Sequence, residues 1–78
     1  MTDKLLTIFS EVLRLPAEGL SDDTGPQNTP QWDSLAAMQL VVAIEEAFST
    51  RLSTIEIMKM RSIGVARKVL TDKGCAIQ

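Results

Sequence analysis

Between Pro16 and Asp33 the chain is crowded with residues that break regular structure: Pro16, Gly19, Asp22, Asp23, Gly25, Pro26, Asn28 and Pro30. On both sides of this stretch apolar residues recur at helical spacing, and no segment alternates convincingly at the period of a strand. A loop of that length in a small domain needs anchors or a function; Leu15, Leu20 and Trp32 are the anchors expected. Before it, the spacing predicts a helix from Asp3 to Arg14 with Thr2 as N-cap, Leu5, Ile8, Phe9, Val12 and Leu13 on its apolar face, and Pro16 as its stop. After it, a second helix is expected from Ser34 to Phe48 or Ser49, capped by Asp33 or Ser34. Leu40, Val41, Ile44, Ala47 and Phe48 form its core stripe, Leu35, Met38 and Val42 lie to one side, and Glu45 and Glu46 face water.

Ser53-Thr54-Ile55-Glu56 matches a capping box, so a short helix should run from Thr54 to Lys59. Its Ile55, Ile57, Met58 and Met60 are too many apolar residues for one buried face. They either fold inward with at most one left exposed, or line a pocket and contact partners. Ser62 caps a last helix, Ile63 to Asp72, with Val65, Ala66, Val69 and Leu70 inward and Gly74 as its stop. The fold class is therefore a small all-α four-helix bundle, with three main helices, one short third helix and a long first loop, forming one domain over residues 1–78.

A net charge of −2 argues against a nucleic-acid partner, which calls for a basic surplus. The charges are unevenly spread. Residues 1–50 hold eight acidic side chains against two basic ones, and residues 51–78 hold six basic against two acidic, which suggests different surfaces for different partners. The single cysteine, Cys75, cannot form an intrachain disulfide, and with Lys73 nearby in a frayed tail it reads as an incidental thiol. No secretory leader or membrane-length run is visible, so a cytoplasmic location is expected. The absence of histidine removes the commonest general base and metal ligand, and no zinc cluster or phosphate-binding glycine loop is present; no metal is expected.

Ser34 opens the second helix. On Asp33-Ser34 alone, a helix cap is the plain reading. The wider segment, Asp33-Ser34-Leu35-Ala36-Ala37-Met38-Gln39-Leu40-Val41-Val42-Ala43-Ile44-Glu45-Glu46-Ala47-Phe48, resembles the acyl carrier protein family. That family pattern is Asp-Ser-Leu at the head of the second helix, then an apolar stripe ending in acids and a phenylalanine. Asp22-Asp23-Thr24, Asn28-Thr29-Pro30 and Trp32-Asp33 look like the loop of freestanding bacterial carriers of specialised metabolism. The resemblance implies that Ser34 receives 4′-phosphopantetheine from coenzyme A, transferred by a separate phosphopantetheinyl transferase. A helix N-terminus suits the phosphate.

By the same resemblance Asp33 contacts the transferase, Leu35 is an exposed docking residue, and Met38, Val42, Glu45 and Glu46 match positions that meet partners. Core packing is the competing reading for Met38 and Val42, and a solvated face for the two glutamates. Val41, Ile44, Ile57, Met60 and Ala66 are candidates to line an acyl pocket between the second and third helices, or else simply fill the core. The neutral Ala36, Ala37 and Gln39 and the basic Arg51, Lys59 and Arg61 depart from carriers of housekeeping fatty-acid synthesis. The expectation is a monomeric carrier, not an enzyme. It would shuttle acyl thioesters between a loading ligase or acyltransferase and ketosynthase-type or other acyl-processing enzymes, in polyketide-like or modified fatty-acid biosynthesis. A peptidyl or aminoacyl carrier loaded by an adenylating ligase is the nearest alternative; a helical interaction domain with Ser34 as cap alone is the alternative of another class.

Overall fold

The computed structural model describes residues 3–75, and among these the chain forms four α-helices and one 3-10 turn. They are α1 (Lys4–Leu13), the turn Ala17–Gly19, α2 (Ser34–Phe48), α3 (Thr54–Lys59) and α4 (Ile63–Asp72). The all-helical bundle with a short third helix is as the sequence implies. No helix among the described residues is long and apolar enough to cross a membrane.

The ends of α1 differ from the sequence expectation. Thr2 lies outside the described residues, and Asp3 is the cap: its Oδ1 accepts from the N–H groups of Leu5 at 3.0 Å and Leu6 at 3.2 Å. Capping demands extended backbone, so Asp3 itself stays outside the helix. At the other end the stop comes before Pro16 takes effect. Arg14 turns left-handed at φ 59°, and its N–H and that of Leu15 both bond to the Ser10 carbonyl.

Leu5, Ile8, Phe9 and Leu13 bury the inner face of α1, while Val12 is only partly covered. They pack on α2 through Ala36, Leu40 and Ile44, a stripe of one residue per turn, and on α4 through Ile63, Ala66 and Leu70. Val41, Ala47 and Phe48, placed in the core stripe from sequence, lean on it half-buried. The same holds for Val69 on α4, while Val65 is only half-buried and Ile63 takes the buried place instead. Past α4, Gly74 is left-handed at φ 84°, as a helix stop requires. Cys75 is not frayed: its N–H bonds to the Leu70 carbonyl at 2.9 Å, and its side chain is half-buried against the core.

The long loop is tied down more fully than its three anchors suggested. Leu20 and Trp32 are buried and Leu15 partly so; Phe9 and Trp32 meet with ring centroids 5.1 Å apart, tilted by 51°. Thr24 and Thr29 are buried as well. The loop also completes the start of α4. Ile63 N–H donates to the Thr24 carbonyl and Gly64 N–H to the Asp22 carbonyl, each at 3.0 Å, while Val65 N–H donates to the Ser62 hydroxyl at 3.1 Å. Donors that a helix leaves without partners are thereby satisfied. This contact needs Gly25, where a Cβ would stand 2.2 Å from the Arg61 carbonyl oxygen.

Candidate functional site

Ser34 is the first residue of α2, and the structure separates it from the work of capping. Asp33, in extended conformation, accepts the Ala36 N–H on Oδ1 at 2.9 Å. The Ser34 hydroxyl is exposed and makes no hydrogen bond among the described residues. The N–H groups of Ser34 and Leu35 lie in the first turn, where the helix itself offers no acceptor. The end of a fifteen-residue helix, with a partial positive charge, therefore surrounds an unengaged hydroxyl.

Beside Ser34 opens a groove of about 310 Å³, lined by Pro26, Trp32, Asp33, Ser34, Ala37, Ile57, Met58, Met60 and Arg61. Ala37 and Ile57 are shared with a second groove of about 270 Å³, completed by Met38, Val41 and Val42. The two form one path, polar at Ser34 and apolar further along, between α2 and the Ile57–Met60 segment. Of the residues proposed from sequence to line an acyl pocket, Val41, Ile57 and Met60 lie on this path. Ile44 and Ala66, both 0% exposed, are core.

Core packing is excluded for the partner candidates on α2: Leu35 is 65% exposed, Met38 69% and Val42 54%. Together with Gln39, Ala43 and Glu46 they line a shallow outer depression of about 390 Å³. Glu46 is exposed as expected. Glu45 does not simply face water: it is half-buried, and its Oε2 accepts the Leu52 N–H at 2.8 Å, pinning the connection to α3.

The capping box on α3 forms as read, with Ser53 Oγ accepting from Glu56 N–H at 3.1 Å and Glu56 Oε1 from Ser53 N–H at 2.8 Å. The inward reading of its apolar residues fails, because Ile55, Ile57 and Met58 all stay exposed and Met60 alone is buried. A helix of six residues resting on α4 has no face wide enough to hide them.

The charges divide cleanly. On the α4 side, Arg67 pairs with Asp3 at 2.8 Å and Asp22 at 3.4 Å, Lys73 with Glu56 at 3.0 Å, and Lys68 sits 4.0 Å from Asp72. Burial pushes the Asp3 carboxyl up, but Arg67 and the N–H groups of Leu6 and Leu5 outweigh it and hold it below its ordinary range. The Ser53 N–H and the Lys73 ammonium do the same for Glu56. By contrast Arg51, Lys59 and Arg61 are exposed and make no ion pair among the described residues. Arg61 is the site residue that sequence reasoning missed. It was noted as a departure in charge, but nothing in its spacing linked it to Ser34.

No group of acidic or cysteine side chains among the described residues is arranged to hold a metal. The donor set at the head of α2 is that of an anion site: first-turn N–H groups, the positive helix end and one cation across the groove. Residues 31–65 match the family model described as a phosphopantetheine attachment site. The match runs through α2 and α3 into the first turn of α4 and takes in every residue of the groove beside Ser34 except Pro26.

Proposed function

We propose that this chain, which carries the phosphopantetheine attachment site of the carrier family, takes 4′-phosphopantetheine on Ser34 and works as an acyl carrier rather than an enzyme. The observation that carries the choice of Ser34 is its free hydroxyl at a helix N-terminus already capped by Asp33. The other serines of the matched segment are worse placed. Ser53 and Ser62 spend their hydroxyls on caps, and Ser49 stands at the carbonyl end of α2, where a phosphate is repelled. Ser34 Oγ attacks the pantetheine-side phosphorus of coenzyme A's pyrophosphate. The new P–O bond forms as the pyrophosphate bond breaks, adenosine 3′,5′-bisphosphate leaves, and the hydroxyl proton passes to the phosphopantetheinyl transferase. The attached arm contributes a terminal thiol on which acyl cargo rides as a thioester. The bundle holds the attachment point rigid, and tethering raises the cargo's effective concentration at a partner's active site.

Partner recognition falls to Asp33, Leu35, Met38, Val42 and Glu46, with Glu45 offering the oxygen not spent on Leu52. Their exposure with no structural duty supports this for the apolar three. Arg51, Lys59 and Arg61, without an ion pair among the described residues and close in sequence to the exposed Ile55 and Met58, support a dedicated partner set, in specialised or polyketide-like metabolism. Efficient support of a core fatty-acid cycle by the holo protein would overturn that assignment.

The test of the carrier reading is mass spectrometry of the apo protein after incubation with coenzyme A and a promiscuous phosphopantetheinyl transferase. A gain of one phosphopantetheine in the wild type, absent in Ser34→Ala, is expected. No gain with several transferases returns the chain to the class of helical interaction domains. Loading of the holo form by an adenylating ligase with an amino acid would make it a peptidyl carrier instead.

A further inference from the structure

We propose that Arg61 is a positioning residue for the arm: its guanidinium pairs with the phosphodiester formed on Ser34 and turns the arm into the groove between α2 and the Ile57–Met60 segment. The inference rests on Ser34 as the attachment residue. Arg61 lines the same groove as Ser34 and Asp33, across from the head of α2. Attachment places a phosphodiester anion next to the Asp33 carboxylate, which is already committed to the Ala36 N–H. Two anions at one helix end exceed what a half-charge of macrodipole offsets, and Arg61 is the cation in that groove.

Arg61, like Arg51 and Lys59, makes no ion pair among the described residues, and of these three it is the one that lines the groove at Ser34. Arg67 and Lys73 are held by carboxylates, and Lys4 donates to the Ala47 carbonyl at 2.6 Å and lies over the Phe48 ring. The backbone of Arg61, in contrast to its side chain, is fixed. Its N–H donates to the Lys59 carbonyl at 2.8 Å, and its carbonyl packs on Gly25. A guanidinium on a fixed stem presents planar paired donors to phosphate oxygens. Beyond it the path is apolar through Ala37 and Ile57 to Val41 and Val42, so an arm held by its phosphate is already aimed along that path.

The test uses holo protein, with the arm on Ser34 verified by mass; failure to load refutes the attachment reading and is seen before this step. The ³¹P resonance and the contacts of the arm's methyl groups with Ile57 and Met58 are then compared by NMR in wild type, Arg61→Gln, Arg61→Lys and Lys59→Gln. Lys59 is an exposed cation on α3 outside the groove, so Lys59→Gln reports the effect of charge alone. In Arg61→Gln the ³¹P resonance is expected to move toward that of the arm on unfolded protein and the methyl contacts to weaken. Arg61→Lys should fall between Arg61→Gln and wild type, and Lys59→Gln should match wild type. About 1 M salt, which shortens screening to a few ångströms, should bring wild type toward Arg61→Gln. An unchanged resonance and unchanged contacts in Arg61→Gln overturn the proposal, as does an equal change in Lys59→Gln.

Discussion

The side of the bundle built from α1, α4 and the long loop is opposite in character to the side built from α2 and α3. On the first, polar groups are matched to partners: Arg67 binds Asp3 and Asp22, and the first N–H groups of α4 find carbonyls in the loop. On the second, Leu35, Met38, Val42, Ile55 and Met58 stand in solvent, and Arg51, Lys59 and Arg61 have no counter-charge among the described residues. A chain of 78 residues has little stability to spare. One side supplies it and leaves the other free to be shaped for binding.

That comparison can be broken at three points. The largest effect should come from Phe9→Ala, which removes a fully buried ring and its contact with Trp32. A loss of about 3–5 kcal/mol is expected, measured by denaturant unfolding.

Arg67→Ala should cost about 1 kcal/mol at neutral pH, because the pair with Asp3 is partly exposed and screened. Its pH dependence carries a sign. The folded Asp3 carboxyl lies below its unfolded value, so its contribution is complete above the ordinary carboxylate range and disappears as pH falls through the folded value. Wild type and Arg67→Ala should therefore draw together in stability as pH falls below the ordinary carboxylate range, and a gap that does not narrow in acid would contradict the assignment.

The smallest effect on stability should come from Leu35→Gln together with Met38→Gln, within about 0.5 kcal/mol. A large loss would show that this face belongs to the core. The same variant should slow modification by the transferase, read as the rate of mass gain.

Helix ends were legible where a side chain does the capping. Ser53 with Glu56, and Ser62, fixed α3 and α4 to the residue. At α1 the cap was placed one residue early, because Asp3 reads equally well as a first-turn acid. Its far end turns on the left-handed Arg14, which no residue preference announces. The loop's grip on α4 was not legible, since it is made by the carbonyls of Asp22 and Thr24, and every residue has a carbonyl. Gly25 is its one trace in sequence, and there it reads as a turn former.

Ser34 as attachment residue was suggested by pattern, yet its freedom from capping needed the geometry of Asp33. The outward set of Met38 and Val42 was ambiguous because α2 is apolar over most of its circumference, so periodicity marks no single face. Arg61 reaches the groove only through the path of the chain after α3, which spacing does not encode.

Because Asp33 rather than Ser34 holds the head of α2, the proposed attachment on the Ser34 hydroxyl would break no hydrogen bond among the described residues. Whatever the arm gains in the folded state, from the helix end or from Arg61, is then added with nothing lost, and contacts made only in the folded state favour it. The loaded form should therefore resist unfolding and proteolysis at least as well as the apo form. Ser34→Ala, which leaves the Asp33 cap intact, should then fold as wild type and gain no phosphopantetheine, a pair of outcomes read by circular dichroism and mass spectrometry.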